Sequence, residues 1–211
     1  VSGYDEVREV LASDKVDVGT QIDVLLDVRP YTGLSEQAAW LFRHFLLMLD
    51  PPDHGRLRSL VAKAFTPRRV ANLEDRIRAL ATEELDGLAA SGEGTWEMVE
   101  AFNLPLPIHV IADLLGLPPD RWHWARHNIH RLVQLLDPFE NFDPADVNEA
   151  AAEAWEVWGA LADERRAAPT DDLLTALVEV EEDGDRLSRD ELVVMATFLM
   201  GAGFETTASL L

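Results

Sequence analysis

The 211-residue chain has no cysteine. That excludes a disulfide scaffold, a zinc–thiolate site, an iron–sulfur cluster and a cysteine nucleophile within it. Long apolar runs are missing as well. The longest uncharged stretch near the C-terminal end, Leu192 to Phe204, holds 13 residues, whereas about 20 are needed to span a bilayer. No basic-then-apolar signal segment opens the chain, so the sequence predicts a soluble cytoplasmic protein with no membrane partner. Positive charge is scarce: 18 Lys and Arg stand against 39 Asp and Glu, a net charge of −21. Such a surface argues against nucleic acid as a general partner. Also absent are a G-x-S-x-G elbow, a G-x-x-x-x-G-K-[ST] loop and a G-x-G-x-x-G following a strand.

What is present suits a folded domain. The hydrophobic share of 47% is ordinary for a chain that buries a core. The charge is unevenly divided. Residues 54–78 hold seven Arg or Lys (Arg56, Arg58, Lys63, Arg68, Arg69, Arg76, Arg78) against two acids, while residues 137–191 hold 18 acids against four arginines. A solvated helix face and a docking surface are both open readings of the basic island. The chain opens at Val1 without methionine and stops at Leu211 inside an apolar helical pattern with no cap, so a fragment is expected.

Helical periodicity dominates, punctuated by Pro and Gly. Residues 4–13 place Val7, Val10 and Leu11 on one helical face, and residues 14–38 read as a long irregular connection. Asp50-Pro51-Pro52-Asp53 predicts a helix start with Asp50 as N-cap and Pro51 at the first helical position. That helix is expected to end near Phe65, where Thr66-Pro67 begins another reaching Ala90. Ser91-Gly92-Glu93-Gly94 breaks the pattern and Thr95 to Val99 suggests a short strand. Helices are expected over 106–115, 120–136, 146–167 and 170–180, the last capped by Thr170. Glu182-Asp183-Gly184-Asp185 is a turn signal, and Ser188-x-x-Glu191 is a capping box opening a final helix.

From Leu192 to Leu211 that final helix is apolar almost all round, which predicts burial on every side. Set into it are Gly201, Gly203, Glu205, Thr206 and Thr207. Glycine costs a helix roughly 1 kcal/mol relative to alanine, and a buried carboxylate without a partner costs more. Two readings stand. Small residues let a flat group approach the backbone, with an acid and an alcohol beside it to relay protons. Alternatively they serve a helix crossing, with a threonine bonded back to a carbonyl one turn earlier.

Two further sets are notable. His54 and Arg58 are four apart and share a helical face, where they suit a pair of carboxylates or an ordinary salt bridge. His123 and His127 have the i, i+4 spacing of metal ligands, with His130 following. No Glu follows His123 and no cysteine completes a set, so metal binding is not expected there, and Trp122 and Trp124 read as packing residues.

The ordered combination resembles one family. The run from Asp50 to Val70, with its Pro-Pro-Asp-His-Gly-Arg-Leu-Arg core, is similar to the C-helix region of bacterial cytochromes P450. Ala202-Gly203-Phe204-Glu205-Thr206 resembles the family's A-G-x-[DE]-T signature in its long I helix. Between them, Pro105-Leu-Pro, Val110 to Pro119, Glu164-Arg165-Arg166 and Asp171 to Leu174 follow the family's order. Gly3 to Val7 is similar to its lead into the B helix.

The resemblance implies a mainly α, P450-like domain across residues 1–211, incomplete for want of the N-terminal sheet strands and the C-terminal haem–thiolate region. It implies haem b as cofactor, with His54 and Arg58 binding propionates, Phe65 packing near the haem, and Ala202 and Gly203 lying over its distal face. Glu205 and Thr206 match the acid–alcohol pair that delivers protons during oxygen activation, and Phe198 would face substrate. The basic 54–78 face would receive electrons from a ferredoxin or a flavoprotein. The reaction implied is hydroxylation or epoxidation of a small organic substrate with O2; the arginine excess over lysine fits a GC-rich genome and a role in secondary metabolism. The family's iron ligand is a cysteine thiolate, and this chain has none, so alone it is expected to be inactive. The alternatives are a truncated, P450-like binding or partner-activating protein, and an unrelated all-α ligand-binding regulator.

Overall fold

Side-chain caps set many of the helix starts. In the computed structural model, which describes all residues except 1, 2, 14, 18, 29, 30, 93, 138–140, 182 and 183 and the side chains of 20, 21, 67, 68, 70 and 72, Ser35 Oγ accepts from the Ala38 N–H at the head of α3 (Glu36–His44). Thr66 does the same for the Arg69 N–H before α5 (Pro67–Ala90). Asp143 heads α8 (Pro144–Ala167). Ser188 and Glu191 complete the expected capping box of α10 (Arg189–Leu210). The remaining helices are α1 (Tyr4–Leu11), α2 (Gly19–Leu26), α4 (Asp53–Ala64), α6 (Pro105–Leu114), α7 (Trp122–Val133) and α9 (Leu173–Glu179). Among the described residues there is no strand, so the fold is mainly α as expected.

Several expectations are corrected. Residues 14–38 are not a plain connection: α2 forms inside them because Ile22 and Leu26, one turn apart, are both buried. Pro30, part of that reading, lies outside the described residues. Helix α4 starts at Asp53 rather than Pro51. The Asp50 carboxylate is engaged elsewhere, accepting from the Gly19 N–H at 2.7 Å. Thr95 to Val99 forms no strand. The Glu97 carboxylate accepts from the N–H groups of Val99 (3.2 Å) and Glu100 (2.7 Å) and starts a helical turn, Val99–Asn103. The cap of α9 is Asp172, not Thr170, whose hydroxyl instead donates to the Asp172 carboxylate at 2.6 Å. In the predicted turn, Glu182 and Asp183 lie outside the described residues and Gly184 has φ +86°. Val7, Val10 and Leu11 do line one side of α1, but they are exposed.

Helix α10 is the axis of the molecule. It packs against α6, α7, α8 and α9, with α3 touching its first half. Leu192, Val193, Val194, Met195, Ala196 and Thr197 are all buried there. At 22 residues it is long and apolar enough to cross a membrane by length and composition, more than the count of uncharged residues suggests; here it is the core of a bundle. The prediction of burial on all sides fails in the second half. Ala202, Glu205, Thr206 and Thr207 are exposed, because nothing among the described residues covers their face.

A buried ionic staple fixes α8 and α9 against the end of α6. Arg165 Nε donates to Asp172 Oδ2 at 2.5 Å, and Arg165 Nη2 donates to the Gly116 carbonyl oxygen at 2.8 Å. Both charged side chains are under a tenth exposed. Gly116 is in the left-handed region at φ +75°, and a Cβ there would fall 2.0 Å from Asp172 Oδ2. Glycine is therefore required twice over, by backbone and by space.

Candidate functional site

Two faces bear the sequence's candidate residues, one on α10 and one on α4. On α10, residues 198, 202, 205, 206 and 209 fall on one side at 100° per residue. Phe198 is half-buried and its ring lies 5.9 Å from that of buried Phe45. Ala202, Glu205 and Thr206 are exposed, which corrects the expectation of a buried carboxylate at Glu205. Thr206 Oγ donates to the Ala202 carbonyl oxygen at 2.8 Å.

The two glycines do not share that face. A Cβ on Gly201 would lie 3.1 Å from Ile129 Cδ1 of α7, and one on Gly203 would lie 3.0 Å from Ile111 Cδ1 of α6. Both therefore meet the close crossings of α10 with its neighbours. Gly201 and Gly203 thus serve packing, as the helix-crossing reading expects, while Ala202 and Thr206 lie exposed beside each other.

On α4, His54 is half-buried and Arg58 exposed. Neither side chain has an ion-pair or hydrogen-bond partner among the described residues. The residue between them behaves differently. Arg56 donates to Asp185 at 3.1 Å and to Glu191 of the α10 capping box. Burial works to lower its pKa, and these two carboxylates overcome that and raise it. Sequence reasoning missed this tie between α4 and α10; its signal was an arginine on the opposite side from the His54–Arg58 pair. Phe65 is half-buried at the end of α4 and packs on the core. Helix α9 touches both α4 and α10.

Most of the basic island is neutralised at short range. Arg69 pairs with Asp171 at 3.7 Å, Arg76 makes a two-pronged bond to Asp113 (2.8 and 2.6 Å), and Arg78 pairs with Glu74 at 3.3 Å. The side chain of Arg68 is outside the described set.

The three α7 histidines line a cavity of about 700 Å³ between α7, the Val99–Asn103 turn and the end of α10, together with Glu205. No group of three His, Asp or Glu among the described residues is placed to hold a metal ion. Trp122 and Trp124 are packing residues, donating to the Leu117 carbonyl oxygen (2.9 Å) and the Glu153 carboxylate (3.1 Å).

The two motifs on which the resemblance rests thus fall on two helices in contact with α9: the exposed Ala-x-x-Glu-Thr edge of α10 and the His-x-x-x-Arg of α4, whose side chains have no partner among the described residues. No family model matches the chain. Its relatives place it nonetheless: it is 37% identical to cytochrome P450 107B1 of Saccharopolyspora erythraea, over 100% of this chain and 51% of that protein. It is 38% identical to the cytochrome P450 monooxygenase PikC of Streptomyces venezuelae, over 100% of this chain and 48% of that one. The structure of P450BioI with an acyl carrier protein bearing hexadec-9Z-enoic acid superposes with a TM-score of 0.85 at 26% identity, covering 100% of this chain and 52% of that one. The chain belongs to the bacterial cytochrome P450 family and spans about half the length of the curated relatives it matches.

Proposed function

We propose that the protein is the propionate-binding and oxygen-facing helical half of a cytoplasmic, haem-dependent monooxygenase. Its overall reaction would join one atom of O2 to a small organic substrate, as a hydroxyl or an epoxide. The other atom leaves as water, with two electrons and two protons consumed. Haem b, when bound, supplies the oxygen-activating chemistry, and its thiolate ligand must come from sequence other than these 211 residues, which contain no cysteine.

The observation that supports this best is the contrast on α4. Arg56 spends its guanidinium on Asp185 and Glu191, while the His54 imidazole and the Arg58 guanidinium, one turn apart, have no partner among the described residues. Two unpaired donors at that spacing fit two carboxylates, and an arginine can grip one bidentately. On α10, Ala202 presents only a methyl group toward the open face. Thr206 Oγ is the atom that would pass a proton, and the exposed Glu205 carboxylate would resupply it from solvent. Phe198, held by Phe45, gives the same face an apolar wall for substrate. Phe65 closes the lower end of α4, and Gly203 lets α10 lie close to α6. An acidic ferredoxin or flavoprotein would dock on the 54–78 face across α4 and α5, where Arg58 is exposed, although Arg56, Arg69, Arg76 and Arg78 are engaged by acids.

Haem occupancy tests the reading. Arg58→Leu and His54→Ala in the haem-loaded protein should each lower bound haem per chain while leaving helix content intact. Unchanged occupancy in both would remove α4 from cofactor binding and leave the binding-only alternative.

A further inference from the structure

The cavity beside α7 adjoins the oxygen-facing edge of α10 through Glu205 and Ser209 and extends round the helix from there. Phe204 and Ala208 line it, and at 100° per residue they point about 200° and 240° round the helix from Ala202. Its apolar part is thus turned away from Ala202, and the cavity meets the Ala202–Thr206 face at Glu205 and Ser209. Its volume of about 700 Å³ falls in the range of small-molecule sites.

Its walls differ in chemistry. The α10 side is apolar at Phe204 and Ala208, continued by Val133 and Leu104. The α7 side presents His123, His127 and His130, exposed and on one helical face. Among the described residues none of the three imidazoles has a hydrogen-bond or ion-pair partner. Two carboxylates complete the lining. Glu100 is satisfied by Arg126 at 2.7 Å. Glu205 stands across the cavity on α10 and repels an anion toward the histidine side.

We propose that this cavity is a second ligand site, taking an amphipathic organic acid with its apolar body on Phe204 and Ala208 and its carboxylate on the α7 histidines. Unspent imidazole donors facing an apolar wall match such a molecule, whereas an amine of the same shape would meet three nitrogens and no free carboxylate on that side.

Octanoate, octanol and octylammonium, titrated in parallel at one pH, separate the possibilities. Ring signals of His123, His127 and His130 in NMR spectra should move with octanoate, and those of His44 and His109, which already have partners, should not. Octanoate should bind at least tenfold more tightly than either analogue. His123→Gln with His127→Gln, both exposed and compatible with the helix, should cost octanoate about tenfold and leave octanol unchanged. Equal binding of octanol would overturn the role of the acid group, tighter binding of octylammonium would reverse the assigned sign, and no movement of these histidines with millimolar octanoate would refute the site.

Discussion

Thr206 Oγ donates to the carbonyl oxygen of Ala202 at 2.8 Å, one turn back along α10, on an edge that is open to solvent. A threonine parked this way contributes little to folding, since its hydroxyl has water as an alternative partner. Thr206→Ala should therefore change stability by less than about 0.5 kcal/mol. In the haem-loaded protein the same substitution should divert reduced oxygen into peroxide at the expense of product, and Thr206→Ser should restore coupling. Equal coupling in all three proteins would take Thr206 out of proton delivery.

The Arg165–Asp172 staple predicts an acid limit to stability. Burial pushes the Asp172 carboxyl up, but the hydroxyl of Thr170, the backbone and hydroxyl of Thr175 and the Arg165 guanidinium together hold it below the usual carboxylate range. A carboxyl depressed in the folded state contributes stability above its unfolded pKa, near 4, and loses it as pH falls further. Urea midpoints of the wild type should drop below about pH 4. Asp172→Asn should cost about 1–3 kcal/mol at pH 7, since Arg165 loses its buried carboxylate but keeps Glu164 and the Gly116 carbonyl oxygen, and should flatten that acid dependence. A variant with an unchanged midpoint at pH 7 would contradict the staple.

Glu191 serves two partners at once, the Ser188 N–H through the capping box and Arg56 from α4. Glu191→Ala should destabilise by about 1–2 kcal/mol, more than a cap alone, because it also frees a half-buried arginine. Arg56→Ala in that background should add little. Additive losses in the double-mutant cycle would show that the two contacts are independent.

Gly203 sets the distance between α10 and α6. Valine there would drive a branched side chain into Ile111, whose Cδ1 is already 3.0 Å from an ideal Cβ position. Overpacking of that kind costs about 1–3 kcal/mol, and Ile111→Ala should relieve much of it. Absence of rescue would mean that the crossing tolerates the larger residue by other means.

Most of the helices were legible because their signals are local. Thr66-Pro67, Ser188-x-x-Glu191 and the glycine after Leu115 each carry their cap or stop within a few residues. What the sequence hid depends on distant partners. Asp50 looked like an N-cap, yet its carboxylate is taken by Gly19, which is 31 residues away. Asp172 is the cap rather than Thr170 because Arg165 and the Thr170 hydroxyl hold its carboxylate in place. The candidate site divided in the same way. His54, Arg58, Ala202, Glu205 and Thr206 were read from two motifs. The separate duties of Gly201 and Gly203 needed Ile129 and Ile111 to be placed beside them, and the histidine-lined cavity needed α7 laid against α10.

The central claim, that this chain is half of a haem–thiolate monooxygenase, is tested most directly by producing the protein from its natural reading frame and recording the difference spectrum of the reduced protein with carbon monoxide. The account predicts one haem per chain with the signature of a thiolate ligand, diminished in Arg58→Leu. A folded protein from that frame with no haem, or with haem lacking the thiolate signature, would contradict it.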